Sequence, residues 1–201
     1  PLNRIIFPRQ THSSKIKEIT LENFFYFKKK PPFCDGLITR EKEIFLSIFV
    51  SDCLPVLLFD FQKEILGLFH SGWQGTLKTI VKKGLRLFKK MGSKKKNILA
   101  FLGPAIGVCC YDIPVKRKKI FQSRFSFWKK FIKEKNKKIF LDLKKLNEIL
   151  LLKEGLKKSN IFKTKDCTFC QKNFFSWRRK DDYLGNMMVV AGMVVAELKK
   201  C

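Results

Sequence analysis

The sequence has 201 residues, of which 45% are hydrophobic, and this favours a folded core over a disordered chain. Its 43 lysines and arginines outnumber its 17 aspartates and glutamates, giving a formal net charge of +26. Such a charge predicts weak, salt-sensitive binding of nucleic acid, although scattered lysines and 21 phenylalanines fit compositional drift better.

Short apolar runs in the first half of the chain predict buried strands. These runs cover residues 44–50, 54–59 and 65–70. From Thr76 to Met91 apolar residues recur at helical spacing with lysines between them, and Gly92 follows as a helix stop. Residues 97–102 predict another strand, which ends at Gly103.

The second half of the chain continues this alternation. Residues 115–131 are basic and aromatic and predict a helix followed by a loop. Asp142 is the expected N-cap of a helix that runs through Leu152 and ends at Gly155. Further strands are predicted at residues 138–141, 161–165 and 186–198, the last with an end of helical character. Because strands and helices alternate without a repeat or a linker, we predict one α/β layered domain over residues 1–201.

The sequence also limits where the protein is expected. No apolar run reaches the roughly 18 residues that a membrane span needs, and the opening residues lack the pattern of a signal peptide. The seven cysteines are odd in number and unevenly spaced, which argues against a disulfide framework. We therefore expect reduced thiols, a cytoplasmic location and no membrane partner.

The chain contains two histidines, His12 and His70, with Cys53 between them in an apolar strand region. One cysteine and two histidines would leave zinc or copper an open coordination position, as in catalytic sites. Two other interpretations are open. Cys53 could pack as a small hydrophobic residue beside a satisfied histidine, or His70 could activate Cys53 as a nucleophile that attacks a carbonyl.

Two further segments have residues suited to anions. Residues 72–76 open a helix after His70, and backbone N–H groups at a helix start bind anions, although a tight turn is the simpler interpretation. The adjacent Arg178 and Arg179 follow an aromatic run. Such a pair is commonly exposed to solvent, and the functional alternative is that it binds phosphate or carboxylate.

Four of the cysteines raise the question of a thiolate site. Cys167 and Cys170 form a CxxC motif, which predicts structural zinc poorly when no second CxxC accompanies it. Cys109 and Cys110 could supply two more thiolates, but neighbouring cysteines rarely bind one ion together. The sequence therefore favours separate thiols here.

Taken in order, these segments resemble the laccase-domain family, also described as polyphenol oxidase-like or purine nucleoside phosphorylase-like. The matching segments are Gln10-Thr11-His12, Asp35-Gly36-Leu37-Ile38-Thr39, Asp52-Cys53-Leu54-Pro55-Val56, His70-Ser71-Gly72-Trp73-Gln74-Gly75-Thr76, Gly103-Pro104-Ala105-Ile106-Gly107 with Cys110-Tyr111-Asp112, and Cys167-Thr168 with Phe174-Phe175-Ser176-Trp177-Arg178-Arg179. They span nearly the whole chain, and the cysteine and histidine-glycine-tryptophan segments are specific in combination.

The resemblance implies a single-domain α/β/α sandwich with a mixed sheet, and a zinc ion, or alternatively copper, held by His12, Cys53 and His70. It implies phosphorolysis of adenosine, inosine or methylthioadenosine, with adenosine deamination as a further activity. The expected substrates are a purine nucleoside and phosphate, and the expected state is a monomer. Copper-dependent phenol oxidation is less favoured, because one His–Cys–His site cannot supply the several coppers of a laccase.

Residue roles follow as expectations from the resemblance. Cys53, His70 and Asp52 are expected at the catalytic centre, where Asp52 either orients a ligand or handles protons, or else bonds to the backbone. The residues expected to bind substrate, through phosphate or by stacking on the base, are Gly72, Trp73, Gly75, Tyr111, Arg178 and Arg179.

The chain also departs from the family pattern. Gln74 and Ser71 stand where the family usually has arginine and alanine, and Asn186 stands where it usually has arginine. We expect that the segment which usually precedes the first histidine, with an Arg-Gly-Gly-like loop, is missing or shortened in this chain. These departures weaken the prediction of phosphate binding but leave all three metal ligands. Two alternatives stay open: a metal-independent Cys–His hydrolase or amidase, and a basic nucleic-acid-binding protein on a degenerate enzyme fold.

Overall fold

The structure is a computed structural model that describes residues 2–180 and 185–195. Its strands, in chain order, are β1 (Ile5–Ile6), β2 (Ile16–Ile19), β3 (Gly36–Thr39), β4 (Phe45–Val50), β5 (Leu54–Asp60), β6 (Ile65–Ser71), β7 (Ile98–Leu102), β8 (Ile132–Lys135), β9 (Lys138–Leu141), β10 (Ile161–Lys163) and β11 (Met187–Gly192). Its α-helices are α1 (Leu21–Lys29), α2 (Trp73–Leu77), α3 (Ile80–Lys90), α4 (Val115–Arg124) and α5 (Leu143–Lys153).

A six-stranded mixed sheet with the order β10-β7-β5-β6-β3-β2 lies at the centre of the molecule. The pairs β2–β3 and β7–β10 are parallel, whereas β5 pairs antiparallel with both of its neighbours. Every residue of β6 is buried. A strand buried on both faces requires a layer on each side of the sheet.

Alternate residues of the central strands face two separate cores. Val56 and Leu58 of β5 belong to a core that also contains buried residues of α3 and α5. Leu57 and Phe59 pack on the opposite face, against a core formed with the small sheet β1-β4-β11 and α1. The expected α/β fold with a mixed, layered sheet is thus confirmed, and the small sheet is an additional layer on the second face.

The strongest local signals in the sequence match the structure. The predicted strands between residues 44 and 70 form within one residue of their expected bounds, and α5 begins after Asp142, whose side chain accepts a hydrogen bond of 2.8 Å from the Lys145 N–H. Gly92 and Gly155 follow helix ends with φ of 90° and 93°, a conformation that glycine adopts without strain.

Other boundaries differ from the prediction. The helix expected from Thr76 to Met91 is divided into α2 and α3 because Thr79 has a left-handed φ of 56°. The strand expected over 161–165 ends at Lys163, and the strand expected over 186–198 covers 187–192. Residues 193–195 form no helix, and the rest of that expected segment lies outside the described residues.

Residues 5–39 contain β1, β2, α1 and β3, which the sequence analysis did not predict. None of the helices in the described part of the chain combines the length and the apolar character that crossing a membrane would require.

Candidate metal centre and substrate cavity

His12, Cys53 and His70 lie together at one end of the central sheet. The pairing of Pro55 with His70 across β5 and β6 places Cys53, just before β5, beside the end of β6. His12 reaches them from the loop between β1 and β2. The three ligand atoms all lie within 4.8 Å of one another, and the two imidazole rings are 5.0 Å apart at 76°. The side chains expected to share an ion therefore converge, while ion binding itself stays a prediction.

The fully buried Asp35 carboxylate organises this cluster. Its Oδ1 accepts hydrogen bonds from the backbone N–H of His12 (3.0 Å) and from Nδ1 of His70 (2.8 Å). Its Oδ2 accepts from the backbone N–H groups of Thr11 and Ser13 and from the Ser13 hydroxyl. Because a carboxylate only accepts, Nδ1 of His70 carries the proton and Nε2 is left as the metal-ligand atom.

Contacts within the cluster shift the pKa values of Cys53, His70 and Asp35. Burial would raise the pKa of Cys53, but hydrogen bonds and charges from His12 and His70 lower it to about 7. Burial would lower the pKa of His70, but contacts with Asp35 and Cys53 raise it to about 9. Burial would raise the pKa of Asp35, but hydrogen bonds from His70 and Ser13 hold this pKa well below its usual range. A cation bound here would displace protons from Cys53 and His70.

Gly72 and Gly75 provide space for the cluster. A Cβ on Gly72 would lie 2.6 Å from Sγ of Cys53 and 3.5 Å from Cδ2 of His12. A Cβ on Gly75 would lie 3.1 Å from the carbonyl oxygen of His70. The helix that follows Gly72, α2, has only five residues, so its dipole offers little to an anion.

We expect Gly72→Ala to weaken metal binding roughly 10-fold or more, an effect of the size found when a metal ligand loses its outer partner. The added methyl group would push the Cys53 sulfur out of the position that it shares with the two histidines. The measurement is a competition titration of the purified protein with a chromophoric zinc chelator. Ser71→Ala, which adds no atoms next to Gly72, should retain the wild-type affinity, and equal affinities for all three proteins would contradict the prediction.

Asp52 binds the loop that carries the two arginines. Its Oδ1 accepts hydrogen bonds from the hydroxyls of Thr168 (2.7 Å) and Ser176 (2.8 Å), and its Oδ2 accepts from the backbone N–H of Arg178 (2.7 Å). The carboxylate next to Cys53 therefore fixes two distant segments beside the cluster. This placement agrees better with a positioning residue than with one that transfers protons.

The adjacent arginines have different surroundings. The Arg178 guanidinium lines the cavity, pairs with the Asp112 carboxylate and lies 5.4 Å from the centre of the Tyr111 ring. The Arg179 guanidinium donates to the backbone carbonyls of Thr168 (2.8 Å), Phe169 (2.9 Å) and Phe174. Of the two, Arg178 is the better candidate for a phosphate ligand, and Arg179 holds the loop.

The cluster opens into a cavity of about 640 Å³. Small-molecule sites usually have volumes of roughly 300–1,000 Å³. The aromatic residues in its wall are Phe49, Trp73, Tyr111 and Trp177. A second guanidinium, that of Arg117, lies 4.4 Å from the centre of the Trp73 ring. The cavity therefore combines groups that could hold a metal, flat apolar surfaces and two cations.

Three residues of this site were given no functional role in the sequence analysis. Asp35 stands in a segment that resembles the family, and its charge before a buried strand was a second signal. Gln10 pairs with the backbone of Phe49 through bonds of 2.8 and 2.6 Å and fixes the cavity edge beside His12. Arg117 lies within a run of lysines, so its sequence context did not distinguish it from other basic surface residues.

Comparison with known proteins identifies the family. A family model described as "Multi-copper polyphenol oxidoreductase laccase" matches residues 1–194. The chain belongs to this family. A purine nucleoside phosphorylase of Borreliella burgdorferi is 33% identical over 178 residues, which cover 88% of this chain and 74% of that protein. The adenosine deaminase RL5 of an unknown prokaryotic organism is 29% identical over 187 residues, which cover 89% and 71%.

A solved structure agrees with this assignment. The crystal structure of YlmD from Geobacillus stearothermophilus superimposes with a TM-score of 0.89 at 28% identity, covering 97% of this chain and 75% of that one. The laccase-domain resemblance is thus confirmed. Relatives named as purine nucleoside phosphorylases and as an adenosine deaminase make this a nucleoside-processing family.

The structure accommodates one departure from the family pattern. The Ser71 hydroxyl is fully buried, where an unpaired polar group would be costly. It lies 2.9 Å from Oγ1 of Thr76 and donates a hydrogen bond of 2.9 Å to Oδ1 of Asn147 on α5. The hydroxyl therefore joins the turn after β6 to a neighbouring helix.

A second departure, Asn186, lies in the cavity wall, where an amide stands in place of the guanidinium expected from the family pattern.

Proposed function

We propose that this protein is a metal-dependent purine nucleoside phosphorylase that cleaves adenosine, inosine or methylthioadenosine with phosphate. The observation that carries the proposal is the His12–Cys53–His70 cluster in the wall of a cavity that also contains aromatic rings and two guanidinium groups. Cys53 and His70 are the proposed catalytic centre, and Asp52 is proposed as a positioning residue for Arg178.

The residues present fit a zinc ion, with copper as the alternative. Two imidazoles and a thiolate are common zinc ligands, Asp35 fixes the orientation of one imidazole, and Gly72 leaves the space that the sulfur needs. An ion with three protein ligands keeps an open position and supplies Lewis acidity to a substrate oxygen or nitrogen.

The aromatic walls suit a flat purine. Trp73, Trp177 and Tyr111 line the same cavity as the cluster. Burial raises the pKa of Tyr111 to about 12, so its hydroxyl keeps its proton and can donate a hydrogen bond to a purine nitrogen.

Phosphate requires positive charge next to the ribose. Arg178 and Arg117 supply it, and guanidinium groups bind phosphate oxygens in pairs. The Arg178 backbone is held by Asp52 and its side chain by Asp112, so its direction is fixed before phosphate enters. In the proposed reaction a phosphate oxygen attacks C1′ of the ribose and the purine leaves with the electrons of the glycosidic bond.

The test is incubation of the zinc-loaded protein with adenosine, inosine or methylthioadenosine, with and without phosphate, followed by chromatography. We expect the free purine base and the sugar 1-phosphate only when phosphate is present. Arg178→Ala should raise the KM for phosphate more than 10-fold while leaving the bound metal unchanged, because it removes a charge-assisted contact worth roughly 1.5–3 kcal/mol. Arg86→Ala, which removes a guanidinium from α3, is the matched control. No product from any of the three nucleosides, despite bound metal, would reject the proposal.

Adenosine deamination is a second candidate, and the similarity to the deaminase RL5 favours it. The same chromatogram distinguishes it, because inosine would appear without phosphate.

A metal-independent Cys–His hydrolase is favoured only by the hydrogen bonds from His12 and His70 to Cys53. Alkylation of Cys53 by iodoacetamide in a metal-free protein that still turns over a substrate would support it. Tight oligonucleotide binding at about 150 mM salt without nucleoside turnover would support the nucleic-acid alternative.

A further inference from the structure

Four cysteines from two separate loops converge on a point outside the cavity cluster. Cys109 and Cys110 lie in the turn after Gly107, and Cys167 and Cys170 lie in the turn after β10. Their four sulfur atoms are all within 4.8 Å of one another. Cys170 Sγ is 3.3 Å from Cys110 Sγ and 3.7 Å from Cys109 Sγ, and all four are free thiols.

These separations agree with a tetrahedral ion. Zinc–sulfur bonds of about 2.3 Å in a tetrahedron place the sulfur atoms about 3.8 Å apart. That value is close to the separation of Cys109 and Cys170, and it is far longer than the roughly 2.05 Å of a disulfide. Four thiols gathered at this spacing match the Cys₄ sites that zinc uses for structure.

The backbone around the sulfurs is shaped for this cluster. The N–H of Gly107 donates a hydrogen bond of 3.1 Å to Sγ of Cys167, a contact that stabilises a thiolate. A Cβ on Gly107 would lie 3.0 Å from Sγ of Cys109 and 3.2 Å from Cβ of Cys167. Any larger residue at position 107 would therefore crowd two of the four sulfurs.

Turn geometry explains how adjacent cysteines share one centre. Neighbouring side chains in a strand point to opposite faces, but residues 108–110 form a turn in which the N–H of Cys110 bonds to the carbonyl of Gly107 at 3.0 Å. The second turn is closed by a bond from the Gln171 N–H to the Cys167 carbonyl at 3.1 Å, which spans four residues, as does the bond from the Tyr111 N–H to the Gly107 carbonyl in the first turn. The pairing of Ala105 with Cys167 brings the two turns together.

We propose that Cys109, Cys110, Cys167 and Cys170 bind a second metal ion, a structural zinc, independently of the ion proposed at His12, Cys53 and His70. Each thiol would release its proton to solvent as its sulfur binds, and four protein ligands leave no position for substrate. The ion would fasten the loop of residues 103–112 to the loop of residues 164–171.

The proposed ion would also support the substrate cavity. The first loop contributes Ile106 and Tyr111 to the cavity wall, and the second contributes the Thr168 hydroxyl that bonds to Asp52. Loss of the ion would loosen the contacts that hold Asp52 and Arg178, without removing any ligand of the cavity cluster. The proposal does not rest on the proposed enzymatic function, because metal content is measured without substrate.

The test is metal analysis of the full chain purified with reductant and zinc. We expect two zinc ions per chain in the wild type, one in the Cys167→Ser/Cys170→Ser double variant and one in Cys53→Ser. Cys34→Ala, which removes a buried thiol outside both clusters, is the matched control and should retain two.

Cys53→Ser keeps the four-cysteine cluster intact, so it tests the proposal even where the double variant does not fold. X-ray absorption of its remaining zinc should show four sulfur ligands at about 2.3 Å. A remaining ion with nitrogen ligands, a Cys53→Ser protein without zinc, or a wild-type protein holding a single ion that Cys53→Ser removes would each overturn the proposal. So would a disulfide between Cys110 and Cys170 found by mass spectrometry of that reduced preparation.

Discussion

Replacing Cys53 with serine is expected to remove one bound ion per chain and to reduce nucleoside turnover by at least about 100-fold. A hydroxyl is nearly the size of a thiol but does not ionise near neutral pH, whereas His12 and His70 lower the pKa of the Cys53 thiol to about 7. The loss should exceed the roughly 10–100-fold that removing an outer partner of a metal ligand costs. Zinc content and steady-state kinetics with adenosine and phosphate are the two measurements.

The control for this prediction is Cys34→Ser, which changes a buried thiol beyond the cavity wall. Burial raises the pKa of Cys34 to about 12, so this thiol stays neutral and is a poor metal ligand. The control should keep its zinc and its turnover. A Cys53→Ser protein that keeps both would remove the basis for a metal-dependent reaction at this cavity.

Asp35→Asn is expected to lower metal affinity by roughly 10–100-fold and the free energy of unfolding by about 3 kcal/mol. One oxygen of Asp35 accepts from His12 and His70, and the other accepts from Thr11 and Ser13. An amide nitrogen cannot accept these bonds, so in either orientation one pair of donors loses its acceptor. Urea unfolding and zinc competition are the measurements.

Asp60→Asn is the matched control, because Asp60 is equally buried but lies at the opposite end of β5. Its Oδ1 accepts hydrogen bonds from the backbone of Gln62 and Lys63 in the turn between β5 and β6. The amide oxygen of the asparagine can keep both of these bonds, because Oδ2 of Asp60 accepts none from the described residues, so this variant should keep the wild-type metal affinity. Equal zinc affinity in both variants would show that Asp35 does not orient His70.

Much of the fold was predictable wherever a local pattern was strong. The apolar runs of β5 and β6 and the capped start of α5 at Asp142 depend on neighbouring residues alone. The break between α2 and α3 was not predictable, because Thr79 adopts a left-handed conformation that threonine rarely has. α1 was missed because Phe25 and Tyr26 are exposed, so its apolar residues do not form one regular stripe.

Some residues of the candidate site were likewise predictable from the sequence, and others were not. His12, Cys53 and His70 stood out by residue type, since the chain has only two histidines. The Asp35 carboxylate that joins two of them comes from the residue before β3, and the pairing of β3 with β6 brings it beside His70. The two arginines were equivalent in sequence, and only the loop conformation directs Arg178 to the cavity and Arg179 to carbonyl groups.

The order of synthesis has a consequence for the small sheet β1-β4-β11. All three proposed cavity ligands lie before residue 71 and leave the ribosome early, but β4 meets β11 only after residues 187–192 have followed. Until then β4 presents an unpaired edge, and such edges invite association between chains. A nascent or truncated chain that ends before β11 would carry every ligand of the cavity cluster and still be prone to aggregate.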